Sequence, residues 1–384
     1  PGTALYEGMP WGAWESYPEY LDFLASRKYA INISSLVAHG AVRNYVMGER
    51  GRTNQAATGA DLAEMGAIVE EALRAGAVGF STSRILGHRS IQGEPVPGTF
   101  ANDTEVMVIA QALKRAGKGL LQIIPSSTLG PGRPGFEEHA SLEQEIDLIA
   151  NVSRESGRPS TFTLFQVDDW SDKWREAIAR VKEANSSGAQ VYPQVGSRPT
   201  GLVFSMATYN PWMLRSAYRA LASLPLAERL EQLRKPEVKQ QILTGENNVD
   251  GVPIGSMEFG VGHIEPNFEN VFPLRSDSTY EPPRQESFAA VSEETNQLPE
   301  GVLYDYLVAD PGRMAILFFT NYSDFNLNAV REMQMDSSTV TGLSDAGAHV
   351  SLIFDAVNPT YQLTYWTRDR ERGGTLPLSH VIAR

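Results

Sequence analysis

Cysteine is absent from the 384-residue sequence. Disulfide bonds and thiolate metal ligands are therefore excluded, and this composition is compatible with a cytoplasmic location. Positive charge is also scarce, because 33 Lys and Arg residues face 46 Asp and Glu residues and leave a formal net charge of -13. Such a balance argues against nucleic acid or an anionic membrane as a partner.

Long hydrophobic runs and familiar catalytic motifs are missing as well. No segment reaches about 18 uninterrupted apolar residues, the length at which a membrane-spanning helix is expected. Neither HExxH nor GxSxG occurs, and the glycine-containing runs do not match a phosphate-binding loop. The start, PGTALYEGMPWGAW, has no initial methionine and no signal-peptide pattern, so we expect the sequence to be a piece of a longer protein.

What is present is a regular alternation of apolar strands and helices. Most of the predicted helices end at a glycine, the residue that favours a helix C-cap, and an apolar run follows. The predicted strands are residues 29–40, 77–83, 119–126, 160–166 and 189–196, and the predicted helices are residues 16–26, 60–76, 104–117, 141–157 and 171–188. Near-continuous apolar strands indicate a parallel sheet buried on both faces. An open doubly wound sheet and a (β/α) barrel both fit this α/β pattern.

The alternation is interrupted at residues 202–299 by a polar, proline-rich insertion that contains helical pieces such as residues 227–235. It returns with a predicted helix at residues 301–310, a strand at 315–323 and a helix at 325–334. A last strand then leads into TGLSDAGAHV, which carries Asp345 among small residues and His349 four positions later. Asp345 is either a catalytic group at the carboxyl rim of a barrel or the cap of the next helix.

Further candidate residues stand at or near the ends of the predicted strands, where α/β proteins place their sites. Each has a plain alternative: a histidine beside glycine often bonds a loop carbonyl, and an arginine at the rim often faces solvent. Arg198 in SRPTG lies in a loop stiffened by proline, a good mount for a guanidinium that binds carboxylate. Two glutamines in apolar strands need a partner or line a cavity. The candidates are His39, Arg43, Arg84, Gln122, Gln166, Arg198 and His349.

Other polar residues are predicted to be structural. Asp168 and Asp169 are expected to cap the helix that begins near Ser171. Three histidines do not stand at strand ends, and we expect them to be surface or structural residues: His139, His263 and His380.

Four stretches in order resemble the N-acyl-D-amino-acid deacylase (D-aminoacylase) branch of the amidohydrolase superfamily. They are LVAHGAVRNYVMGERG, AVGFSTSR followed by GEPVPGTFA, SRPTG, and TGLSDAGAHVSLIFDAVNPTYQLTYWTRDR. The resemblance covers nearly the whole chain, and the last stretch is its most specific part. It implies a (β/α)8 TIM-type barrel, a zinc site at the rim, and a small β-sandwich domain built from both chain ends.

The resemblance also implies a role for Asp345, which matches the aspartate that is a metal ligand and proton acceptor at the end of the eighth strand. The family's HxH pair, its bridging cysteine and its histidines after strands five and six are not found, and Gln122 and Gln166 stand at the latter places. Glutamine is a weak zinc ligand, so we expect one zinc ion rather than two, with its other ligands outside this chain. Residues 1–384 would then be strands three to eight of a barrel with an insertion at 202–299, without the HxH strand and the β-sandwich.

The function expected from this resemblance is hydrolysis of a non-peptide amide bond in N-acyl amino acids, with a small molecule as partner and the isolated piece inactive. Two alternatives stay open. One is a metal-independent barrel glycosidase that pairs Asp345 with Asp168 or Asp169. The other is a non-catalytic relative that binds the same small molecules. The acyl group, the stereochemistry of the substrate and the oligomeric state cannot be predicted.

Overall fold

The computed structural model describes residues 9–130, 137–168, 170–342, 344 and 357–384. Nine strands are found in these ranges: β1 Leu36–Ala38, β2 Gly79–Ser83, β3 Leu120–Ile124, β4 Ser160–Leu164, β5 Val191–Gly196, β6 Thr200–Phe204, β7 Val271–Leu274, β8 Met314–Thr320 and β9 Val340–Gly342. The predicted alternation is confirmed, because helices separate the first five strands.

The described helices are α1 Tyr17–Ala25, α2 His39–Met47, α3 Glu49–Arg52, α4 Gly59–Ala75, α5 Asp103–Ala116, α6 Leu142–Ser156, α7 Lys173–Ser186, α8 Ser216–Arg219, α9 Leu226–Leu233, α10 Pro236–Thr244, α11 Met257–Gly262, α12 Phe288–Thr295, α13 Pro299–Val308, α14 Asn328–Met335, α15 Asn358–Thr364 and α16 Leu378–Ala383. A π-helical turn, Tyr365–Asp369, follows α15.

Local signals explain where the helices begin and end. Ser16, Thr58 and Ser141 each form a capping box at the start of α1, α4 and α6. Gly117 and Gly157 adopt left-handed backbone angles at the ends of α5 and α6, a conformation that glycine reaches without steric cost. The predicted bounds of these helices are therefore confirmed to within two residues.

Six strands form one parallel sheet in the order β1-β2-β3-β4-β5-β9. Every neighbouring pair is parallel, as the sequence predicts for strands joined by helices. Within the described residues β1 and β9 are the two ends of this sheet, and its hydrogen bonds do not confirm the predicted partial barrel. The confirmed architecture is an α/β fold built on a parallel sheet.

The first predicted strand, residues 29–40, is wrong in its extent. Only Leu36–Ala38 pairs with β2, whereas Tyr29, Ile31 and Ile33 are 44%, 75% and 47% exposed. The apolar alternation of this segment is typical of a strand, but the segment lies at an end of the sheet where β2 offers it only three paired residues.

The strand predicted at residues 315–323 is also placed differently, since β8 lies in a second, antiparallel sheet between β6 and β7. Its continuous apolar run has a physical reason: Phe318 packs in the core of the parallel sheet, whereas Ala315 and Leu317 pack in a separate core formed by the insertion. A strand buried on both faces has the same sequence pattern in either kind of sheet. The insertion itself supplies β7 and helices α8 to α12.

Candidate functional site

The two faces of the parallel sheet differ. One face is apolar and packs against helices, with Phe80 and Leu121 almost fully buried in the core. On the opposite face, the register aligns Ser81, Gln122 and Thr161 across β2, β3 and β4. Gln122 is half-buried there. This face and the carboxyl ends of the strands form the region in which a ligand site is expected.

His39 and Arg43 begin helix α2 and lie on the helix-covered side. Nε2 of His39 is 2.7 Å from Glu105 and its Nδ1 is 2.8 Å from Thr82 Oγ1. Arg43 donates to the same Glu105 carboxylate at 2.5 Å. Burial lowers the pKa of His39, against the opposing pull of Glu105. Burial therefore favours the neutral form of His39, and each of its two ring nitrogens has a hydrogen-bond partner within the protein.

Arg84 follows β2 and is buried beside this network. Its Nε donates to Glu145 at 2.9 Å and its Nη1 donates to the Ala101 carbonyl at 2.6 Å. The charge of Arg84 also lowers the pKa of His39, so the two side chains are electrostatic neighbours. The structure thus brings His39, Arg43 and Arg84 together, and it gives each of them a partner within the protein.

Gln166 belongs to a second group, which lies at the carboxyl end of β4. It is 1% exposed, and its Nε2 donates to Asp324 at 2.8 Å, while its side-chain oxygen has no hydrogen-bond partner. Asn321, directly after β8, forms two hydrogen bonds with the Gln166 backbone. Its Oδ1 accepts from the Gln166 amide at 2.9 Å, and its own backbone amide donates to the Gln166 carbonyl at 2.7 Å. The antiparallel sheet is therefore docked on the rim of the parallel one.

Arg198 is tied to the same junction. The side-chain amide of Asn321 donates to the Arg198 carbonyl at 3.2 Å. Burial lowers the pKa of the Arg198 guanidinium, and the neighbouring Tyr280 and Tyr361 act in the opposite direction. These two tyrosines line an open cleft of about 340 Å³ together with Tyr365. Gln166 and Arg198 are thus linked through one asparagine, beside an aromatic cleft.

The prediction that Asp168 caps the helix near Ser171 is wrong. Its carboxylate accepts from Asn270 at 2.8 Å and from Ser323 at 2.9 Å, so it holds the insertion and the loop after β8. The residue before α7 is Asp172, whose side chain makes no cap hydrogen bond. Asp169 lies outside the described residues.

Sequence reasoning missed the residues that the second sheet brings to this rim, Asn321 and Asp324. One signal was available: an asparagine directly after an apolar run suits a left-handed turn, and Asn321 has a φ of 62°. The partners of that turn, Gln166 and Arg198, lie just after strands β4 and β5, more than 120 residues earlier in the sequence. Sequence spacing does not reveal such a contact.

His139 and His380 are structural, as predicted: Nε2 of His139 is 2.8 Å from the Arg84 carbonyl, and that of His380 is 2.9 Å from the Gln334 carbonyl. The described ranges contain no group of three or more His, Cys, Asp or Glu side chains that fits a metal ion. Asp345 and His349 lie outside those ranges.

In the part of the chain that the structure describes, no helix is both long enough and apolar enough to cross a membrane.

A model of the amidohydrolase family matches residues 6–250. Among curated relatives, the N-acyl-D-aspartate deacylase of Alcaligenes xylosoxydans xylosoxydans is 36% identical over 132 residues, which cover 34% of this chain and 24% of that protein. An uncharacterized protein of Mycobacterium tuberculosis is 30% identical over 119 residues, 29% of this chain and 19% of its own length. The aligned part is thus a quarter or less of these relatives.

Solved structures of D-aminoacylase share the fold. One comes from a study of the binuclear metal center of that enzyme, and another defines D-aminoacylase as a novel subset of amidohydrolases. Each superposes with a TM-score of 0.52 at 16% sequence identity, over 96% of this chain and 59% of the other. The parallel sheet, the family match over more than half of the sequence and these relatives agree: the chain belongs to the amidohydrolase family and resembles its D-aminoacylase branch.

Proposed function

We propose that this chain is the barrel part of a hydrolase that removes the acyl group from N-acyl amino acids, with Asp345 as its general base. Family membership supports amide hydrolysis, and the relatives named above support an N-acylated amino acid as substrate. The strands β1 to β5 and β9 would be strands three to eight of the barrel, and residues 202–299 an insertion over its rim. A cytoplasmic location stays a prediction.

The observation that carries this proposal is the pairing of β9 with β5. Gly196 and Gly342, the last residues of the two strands, are register partners. Neighbouring strands lie about 4.8 Å apart, so groups that follow their ends leave the sheet side by side. Arg198 comes two residues after one end and Asp345 three residues after the other. This arrangement supports a base and a carboxylate-binding cation at one place on the rim.

The chemistry assigned to these residues follows from their charges. Asp345 accepts a proton from the attacking water and returns it to the leaving amine, so that a poor leaving group departs as a neutral amine. Arg198 binds the substrate carboxylate with its planar guanidinium, and its buried setting strengthens that pair by excluding water. The tyrosine-lined cleft beside Arg198 suits an apolar part of the substrate.

A metal fits this chain only incompletely. Gln166 uses its amide nitrogen on Asp324 and offers one neutral oxygen, and the described residues supply no three-ligand set. Zinc prefers histidine, cysteine and carboxylate ligands. A single zinc ion on Asp345, with its other ligands beyond the described residues, stays a proposal.

Direct contact of substrate with His39, Arg43, Arg84, Gln122, Gln166 and His349 also stays a proposal. The partners of the first three favour a supporting role, since Glu105 binds His39 and Arg43 and Glu145 binds Arg84 within the protein. Gln122 lies on the opposite face of the sheet and is half-buried, and that argument does not apply to it.

The test is turnover of N-acetylmethionine by the full-length protein and its Asp345→Asn variant. We expect kcat to fall by a factor of about 100 or more, because the neutral amide cannot take the proton.

Arg198→Gln should instead raise KM for the acid and leave KM for the corresponding methyl ester unchanged, with exposed Arg154→Gln as the matched control. Unchanged turnover in Asp345→Asn refutes the proposal. A protein that binds N-acetylmethionine and returns it intact would be a non-catalytic relative.

A further inference from the structure

A second cleft, of about 360 Å³, lies within the insertion, and none of the candidate site residues lines it. Its walls come from the segment before α8, the loop after α10, the stretch after α11 and the start of α13. The volume suits a small ligand. The lining residues used below are Trp212, Arg215, Asn247, Phe268 and Glu300.

Two buried polar atoms on this cleft have no hydrogen-bond partner: Nε of Arg215 and Oδ1 of Asn247. The two residues sit side by side, because their backbones form an isolated antiparallel bridge. Each side chain is held by its other end, since Arg215 Nη1 donates to the Gly245 carbonyl and Asn247 Nδ2 donates to the Gly262 carbonyl at 3.1 Å. One donor and one acceptor are therefore fixed in the wall of the cleft, behind its accessible surface. Buried polar groups of this kind usually have a partner.

A carboxylate on the same cleft comes from Glu300. It stands in the first turn of α13, and its Oε1 accepts from the indole nitrogen of Trp212 at 2.7 Å. That bond orients the carboxylate and leaves its other oxygen available to a ligand. The cleft thus combines a cation, a neutral acceptor and an anion with the apolar ring of Phe268.

We propose that this cleft binds a free α-amino acid in its zwitterionic form. The ligand carboxylate accepts from the Arg215 guanidinium, and the ammonium group donates to the Glu300 carboxylate, so that each ligand charge meets an opposite charge. An apolar side chain then packs on Phe268. An N-acyl amino acid lacks the ammonium group and is bound more weakly here, so this site distinguishes a free amino acid from its acylated form. The proposal does not depend on the proposed function.

The test is isothermal titration of the full-length protein with leucine, as each enantiomer, and with leucinamide and N-acetylleucine. We expect at least one enantiomer of leucine to bind. Leucinamide lacks the carboxylate and N-acetylleucine lacks the ammonium, so each should bind at least about tenfold more weakly at this cleft.

The location is tested by Glu300→Gln, which keeps the acceptor for Trp212 and removes only the charge. Its affinity for leucine should fall about tenfold or more, whereas the matched control Glu237→Gln, exposed on α10 of the same insertion, should bind as the wild type does. Leucine that does not bind, or that binds equally well to Glu300→Gln, overturns the proposal. The proposal is also overturned if N-acetylleucine competes with leucine for the same site, where that site is identified by its weaker binding of leucine in Glu300→Gln. Leucinamide needs no variant and has no acyl group to hydrolyse, so it tests the need for the ligand carboxylate even if a substitution impairs folding.

Discussion

At the scale of single residues, the most deeply buried ion pair among the described residues is that of Glu281 and Arg370, whose side chains are both 0% exposed. Arg370 donates to both carboxylate oxygens, at 2.9 and 3.0 Å, and Tyr365 adds a hydrogen bond at 2.5 Å. The backbone amide of Leu327 donates at 2.6 Å. Glu281 precedes α12 and Arg370 directly follows the π-helical turn, so the ion pair joins two parts of the chain that are distant in the sequence.

Glu281→Gln should lower the free energy of unfolding by about 3 to 5 kcal/mol, because it leaves the Arg370 guanidinium buried without a counter-charge. Urea unfolding followed by tryptophan fluorescence measures this loss. The control is Glu269→Gln, which removes the exposed partner of Arg284 and should cost less than about 1 kcal/mol. Equal effects of the two substitutions would contradict the account of this pair.

The same pair predicts a dependence of stability on pH. Burial by itself raises the pKa of Glu281, but the hydrogen bonds from Arg370 and Tyr365 outweigh it and hold the pKa below its ordinary value of 4.5. A carboxylate whose pKa is lowered by folding stabilises the protein above its unfolded-state pKa, and that contribution is lost as the pH falls through the folded-state pKa. The stability difference between wild type and Glu281→Gln should be constant above about pH 5.5 and shrink below about pH 4.5. A difference that grows on acidification would show the opposite sign.

The sequence predicted which residues lie at the ends of strands, but not which face of the sheet each side chain lies on. Side chains alternate between the two faces of a strand, so one position decides whether a residue meets the helices or the open side. Thr82 meets His39 on the helix-covered side, whereas Ser81 aligns with Gln122 on the other. The sequence predicted that Gln166 needs a partner, and Asp324 is that partner. The identity of the partner was not readable, because the second sheet supplies it.

At the scale of elements, the helices were readable because their signals are local. A capping box or a left-handed glycine acts within four residues, and α4 and α6 follow these signals closely. The strands were harder to predict than the helices. For example, β8 has the apolar pattern of a parallel strand, yet it pairs antiparallel with β6 and β7. Pairing depends on contacts across the insertion, which no local pattern encodes.

Asn321 joins the two sheets, and its substitution tests that junction. Asn321→Gly should cost about 1 to 3 kcal/mol of stability, because it removes the side-chain bonds to the Gln166 amide and the Arg198 carbonyl. Asn321→Ala should cost roughly 1 kcal/mol more, because the backbone has a φ of 62° that alanine adopts with strain. Chemical denaturation of the two variants measures the order, and an alanine variant as stable as the glycine variant would contradict it.

The contact of β2 with β3 depends on a glycine. A Cβ at Gly79 would lie 2.2 Å from the Leu120 carbonyl oxygen, so Gly79→Ala must push the strands apart and should cost about 1 to 3 kcal/mol. Gly59, at the start of α4, has open space around a Cβ, and Gly59→Ala should be neutral or stabilising by up to about 1 kcal/mol. Thermal unfolding compares them, and two similar melting temperatures would refute the close approach.

At the scale of the whole molecule, the described residues form two hydrophobic cores that share β8. One lies mainly between the parallel sheet and helices α4 to α7, and the other is formed by the segment from β6 to β8. The α/β class and the parallel sheet could be predicted from alternation alone, and the family from four short stretches. The second core could not, because its strands are separated by long helical segments and its pattern is shared with ordinary barrel strands. The division of residues 1–384 into a partial barrel and an insertion stays a prediction.

The most direct test of the account is steady-state hydrolysis of N-acetyl-D-methionine and N-acetyl-L-methionine by the purified full-length protein, before and after treatment with a chelator and after zinc is restored. The account predicts release of free methionine from at least one enantiomer, loss of that activity on chelation and its recovery with about one zinc ion per chain. Turnover of neither enantiomer, or turnover that chelation leaves unchanged, would contradict it.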